Sequence, residues 1–144
     1  MSIIVAIGLV IILVFLNQSL MAGYSSSQSI MNFPKNDIRD FRSVTVGEAS
    51  QIGIETNSYI NSSHDTDPNA FNNTFSTKFS QFINQTEEIF QQQGTVVGVD
   101  YNNTVTPVTL SNNQTVYMGD NTTINLYYNN GETSYDDNTT VYFE

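Results

Sequence analysis

The sequence predicts an α+β chain: a long N-terminal hydrophobic helix, then a small β-rich globular domain (an antiparallel sheet or sandwich) carrying one amphipathic helix. Three observations lead there. The first 33 residues contain no charged side chain, and every Asp and Glu lies from Asp37 onward. Phe recurs at helical spacing between positions 75 and 90. After Gly94 the chain is rich in Val, Thr, Tyr and Ile, interrupted by Asn and Gly.

The N-terminal segment admits three readings. Ile3 to Leu16 is an unbroken apolar run, IIVAIGLVIILVFL, shorter than the ~20 residues that span a bilayer. Asn17-Gln18-Ser19 interrupt it and Leu20-Met21-Ala22-Gly23-Tyr24 resume it. A secretory signal peptide needs a basic stretch first, and nothing basic precedes Ile3. A plain membrane anchor is followed here by Lys35, Arg39 and Arg42, which would hold the rest of the chain in the cytoplasm. A packing helix, once in a membrane and later the core of an assembly, fits the pattern beyond the run. Leu13, Leu16, Leu20, Tyr24, Ser27 and Met31 recur at spacings of 3 and 4, and Pro34 disfavours helix at Phe33. Ala6, Gly8, Ala22, Gly23 and Ser25 to Ser27 would let neighbouring helices approach. The expected organisation is therefore a filament-core or membrane helix over 1–33 and an outer domain over 34–144. The expected polymerisation core is Ile3, Ile4, Val5, Ile7, Leu9, Val10, Ile11, Ile12, Leu13, Val14, Phe15, Leu16 and Leu20.

Composition excludes several classes of function. The 144 residues suit one domain. Absence of Cys removes disulfides, thiolate zinc sites and a cysteine nucleophile, and the single His64 removes a multi-histidine metal site. Four Lys and Arg against 14 Asp and Glu, a formal charge of −10, exclude an ordinary nucleic-acid surface. Only 12% of residues are charged, about half the usual share, and 18 Asn, 16 Thr and 15 Ser supply polarity instead. That balance disfavours an enzyme.

Asn-x-Ser/Thr occurs at Asn17, Asn61, Asn72, Asn84, Asn102, Asn113, Asn121 and Asn138, none with Pro in the middle. Chance alone gives about 4 such sites, so eight is an excess. Asn17 falls in the apolar segment and is not expected to be modified. The other seven are candidate N-glycosylation sites, which would place the domain outside the cell. The basic residues after the helix argue for the inside, and a basic leader removed ahead of Met1 would reconcile the two.

In the outer part, Asp37 to Phe41 reads as a short helical turn and Ser43 to Ile54 shows weak strand-like alternation at Val44 and Val46. His64 to Asn69 is a loop. It has the D-x-D-x-N opening of a calcium loop, but Ala70 stands where glycine is required and Ser76 where the closing Glu should be, so it reads as a solvated turn. Phe75 to Gln93 is an amphipathic helix with Phe75, Phe79, Phe82, Ile83, Thr86 and Phe90 on one face, capped by Asn73 or Thr74 and stopped by Gly94. Five short strands follow: Thr95–Tyr101, Thr104–Leu110, Thr115–Gly119, Thr122–Tyr128 and Thr139–Phe143.

No nucleophile-elbow, phosphate-loop, dinucleotide-binding or zinc-protease motif is present. A Ser/His/Asp triad would have to use the loop residue His64. Glu87-Glu88 and Asp136-Asp137 are adjacent residues, not carboxylates converging on one site. No catalytic residue, metal site, cofactor or small-molecule substrate is expected.

A charge-free N-terminal segment starting almost at residue 1, followed by a Thr/Asn-rich β domain with many sequons, resembles the archaeal type IV pilins and archaellins. The resemblance covers the architecture of the whole chain and little specific motif. Val5 stands where bacterial type IV pilins carry glutamate, which archaeal members generally lack. The interrupted apolar run favours an adhesion-type pilin over an archaellin. The resemblance implies a prepilin leader, insertion in the membrane before assembly, and a helical homopolymer whose glycosylated outer domains face the extracellular medium. Two alternatives stay open: a single-span surface glycoprotein of a cell or virion, and a small non-catalytic subunit of a membrane complex.

Overall fold

The structure, a computed structural model, describes residues 7–14 and 28–143, with side-chain surroundings for 7–14 and 38–143. Residues 7–14 are helical (α1). Two helices follow, α2 (Gln28–Ser63) and α3 (Ala70–Gln92), then three strands, β1 (Val96–Thr109), β2 (Thr115–Asn129) and β3 (Ser134–Tyr142). The strands form an antiparallel meander in the order β1-β2-β3.

The expected long N-terminal hydrophobic helix is overturned. Among the described residues no helix is long and apolar enough to cross a membrane. The longest, α2, runs through Pro34 and on over the stretch where a short turn and strand-like alternation were expected. Proline removes one hydrogen bond and crowds the preceding turn. The cost is offset farther along, where Phe41, Thr45, Glu48, Ala49, Ile52, Thr56 and Ile60 bury one face of α2. Packing of that face decides the helix over local propensity. The count of one amphipathic helix is corrected as well, since α2 and α3 form an antiparallel pair. Phe41 meets the Phe90 ring edge-on at 5.4 Å, while Lys78 reaches Glu55 at 3.5 Å.

The apolar face of α3 is buried throughout, from Phe71 through Phe75, Phe79, Phe82 and Ile83 to Phe90. It begins at Ala70, and its N-cap Asn69 makes no side-chain cap bond, so neither Asn73 nor Thr74 caps it. At the far end Gly94 takes a φ of +76° and donates its N–H to the Gln91 carbonyl at 3.0 Å. The helical pair lies on one face of the sheet. Phe75 and Phe79 pack on Tyr101 of β1, and Phe71 and Phe75 on Phe143 beyond β3.

The five short strands merge into three. Asn102-Asn103 and Gly119-Asp120-Asn121 are not turns: Asn102 and Asn103 pair with Thr123 and Thr122, Thr104 pairs with Asn121 and Val105 with Gly119, so the register slips by one residue at Thr104/Val105. Asp120 is the extra residue of this β-bulge. Its carbonyl accepts from the Phe143 N–H at 2.9 Å and its carboxylate from the Thr106 hydroxyl at 2.9 Å. Asn57 of α2 clamps the neighbouring Gly119, its amide bonding both the glycine N–H and C=O at 2.8 Å. A Cβ on Gly119 would sit 2.2 Å from the Phe71 ring, so only glycine fits there. The true turns are at Ser111 to Gln114, where Asn113 has a φ of +64°, and around Gly131, with a φ of +90°.

Candidate functional site

Two features of the fold bear on function: the surface of α1 with its seat on the body, and the distribution of the sequons. Ile3, Ile4, Val5, Phe15, Leu16, Leu20 and Asn17 lie outside the described residues, as do Ala6, Ala22, Gly23, Tyr24 and Ser25 to Ser27.

The described core candidates divide by face. Ile11 is 4% exposed, and Ile7 and Val14 are half-buried on the same side of α1. Ile11 and Val14 close over a largely apolar cleft between α2 and α3, lined also by Asp40, Phe41, Val44, Thr45, Thr86 and Phe90 and keeping about 20 Å³ of free space. Thr45 and Thr86 can sit in this apolar wall because each hydroxyl bonds a carbonyl one turn back, those of Phe41 (2.7 Å) and Phe82 (2.9 Å). On the other side of α1, Leu9, Val10, Ile12 and Leu13 are exposed by 48, 49, 47 and 59%. Among the described residues, nothing beyond its own helix approaches within 4 Å of where a Cβ on Gly8 would stand. Four adjacent large apolar residues left half in water form a patch that calls for a partner surface.

Six of the seven candidate glycosylation residues are exposed: Asn61, Asn72, Asn84, Asn102, Asn113 and Asn138. Asn121, in the central strand, is half-buried. Asn61 lies in the last turn of α2, Asn72 and Asn84 lie on α3, and Asn113 occupies the β1–β2 turn. Asn102, Asn121 and Asn138 share the sheet face turned away from the helices, where Asn138 bonds Asn125 and Asn102 pairs with Thr123. No sequon falls on α1 or on α2 before Asn61.

The cations are few. Arg42 binds Asp137 at 2.6 Å and Thr139 at 3.3 Å, Lys78 binds Glu55, and Arg39 is exposed. In the loop, Asp65 and Asp67 cap backbone N–H groups two residues on, at 2.9 Å each. His64 is exposed there with a φ of +55°. Asp136 and Asp137 point to opposite faces of β3, and Glu87 and Glu88 differ likewise in burial. No group of three potential metal ligands occurs among the described residues.

Sequence reasoning missed Glu48. It is 4% exposed in the α2 face, and its Oε1 has no hydrogen-bond partner among the described residues. Burial, reinforced by the Glu55 carboxylate and opposed by Lys78, raises its pKa from 4.5 to about 7. The signal was present as a stripe at 41, 45, 48, 52, 56 and 60, half of it polar.

The chain matches no protein-family model, and neither a curated protein sequence nor a solved structure is significantly similar to it.

Proposed function

We propose that the chain is a non-enzymatic structural subunit of an extracellular, pilus-like filament. Copies associate through the apolar N-terminal residues, and the helix-and-sheet domain forms the glycan-bearing surface available for adhesion. The observation that carries this reading is the outward face of α1, where Leu9, Val10, Ile12 and Leu13 stand about half exposed on a helix already docked to its own domain. Apolar side chains in water cost about 0.8 kcal/mol per CH₂, so this face is stable only against lipid or another protein surface. The exposed sequons and the hydroxyl- and amide-rich sheet face support an outer surface hydrated through neutral groups and sugars.

Electron microscopy of the purified protein tests the proposal. Filaments that persist after detergent removal support it, and monomers that stay dispersed only in detergent overturn it in favour of a simple anchor. Val10→Asp places a charge in the exposed patch and is expected to abolish assembly; normal filaments from that variant count against the reading.

A further inference from the structure

The contact between α1 and the body is one-sided. Of residues 7–14 only Ile11 is buried, and the cleft that receives it keeps about 20 Å³ of free space beside Asp40, Phe41, Val44 and Phe90. The seat is apolar and recognises shape and hydrophobicity, properties that every copy of the segment shares. Thirteen residues, 15–27, lie between α1 and α2 in the sequence. That length of chain covers at most ~45 Å, which bounds how far an exchange could reach.

Resting on the filament reading above, we propose that in the assembled state the α2–α3 cleft is filled by residues 7–14 of a second copy, so that α1 is exchanged between neighbours. Exchange requires no surface beyond the one seen within a single chain. Each molecule gives one α1 and receives one, a head-to-tail contact that grows into a filament when the rotation does not close. Within a lone molecule the tether keeps α1 near its own cleft at a high effective concentration, so the intrachain contact dominates at dilution. Crowding copies together removes that advantage and leaves the outward row, Leu9 and Leu13, to be covered in the same step.

The chain contains no Cys, so engineered disulfides report without background. Full-length Ile11→Cys and Val44→Cys variants are mixed in equal amounts, assembled, oxidised, and digested for mass spectrometry. Exchange is expected to give a disulfide between positions 11 and 44 of different chains, several-fold over either homodimeric disulfide, and lost when oxidation follows dilution to monomers. Val14→Cys paired with Val44→Cys repeats the test should Ile11→Cys impair folding, which circular dichroism reports. Assembled particles lacking the interchain 11–44 disulfide in both pairs overturn the exchange while leaving the filament reading intact. Failure of the folded variants and the parent chain to form any particle larger than a monomer overturns both. A closed, disulfide-linked dimer supports exchange and counts against the filament.

Discussion

α3 and α1 are both rich in large apolar residues, and they meet water in opposite ways. Along α3 the side chains of Phe71, Phe75, Phe79, Phe82, Ile83 and Phe90 are buried, and Asn72, Asn73, Thr77, Gln81, Asn84 and Glu88 face solvent. Along α1 one residue is buried, four large ones are about half exposed, and no polar side exists. The hydrophobic surface of α3 is therefore used up within the chain, whereas that of α1 is left half exposed at Leu9, Val10, Ile12 and Leu13. The first specifies a fold, and under the proposed filament reading the second specifies an assembly.

The sharpest way to break this contrast is at the centre of the α3 face. Phe75 is fully buried, with ring centroids of Phe79, Phe71, Tyr101 and Phe143 at 5.2, 5.5, 5.6 and 5.7 Å. Phe75→Ala is expected to cost about 3–5 kcal/mol in denaturant unfolding followed by circular dichroism. That is a large part of the ~5–15 kcal/mol that keeps a domain folded. A cost under about 1 kcal/mol would mean the α3 face is not the core it resembles.

Glu48 refines the contrast, because it is a polar intrusion into the buried face of α2. With a folded pKa near 7 against 4.5 unfolded, the folded chain holds an extra proton between those values. The stability this confers is complete below pH 4.5 and is lost as pH rises through 7, above which an ionised Glu48 weighs against the fold. Glu48→Gln keeps the shape and removes the titration. It is expected to match the parent chain near pH 4 and exceed it by up to about 3 kcal/mol at pH 8. Unfolding curves at both pH values measure the difference, and parallel pH profiles for the two proteins would refute it.

These two helices also show which parts of the fold were legible. The Phe spacing of α3 carried its own answer, since nothing polar interrupts it except Thr86, whose hydroxyl is satisfied locally. α2 was illegible because Thr45, Glu48 and Thr56 occupy half of its buried stripe and Val44 and Val46 imitate a strand. In the sheet, Asn113 and Gly131 marked real turns. Gly119-Asp120-Asn121 looked the same and was not one, because the clamp that keeps the chain extended there is Asn57, 62 residues away. No local pattern records such a contact. Of the site, the apolar run and the sequons were read directly. The seat for Ile11 was hidden, since Phe41 and Phe90 come together only through the α2–α3 pairing.

The smallest expected effect on folding lies on the outward face of α1, and that smallness is what completes the comparison. Leu13 is 59% exposed, and Gln is nearly as good a helix former as Leu. Leu13→Gln should leave denaturant stability within about 0.5 kcal/mol of the parent chain, as ordinary surface substitutions do. Sedimentation of the same variant should show assembly weakened, because a polar amide then faces the surface that Leu13 would have joined. A loss of more than about 1 kcal/mol would place Leu13 in the folding core and erase the distinction between the two helices. Unchanged stability with unchanged assembly would erase it from the other side, by making the exposed row of α1 irrelevant to both.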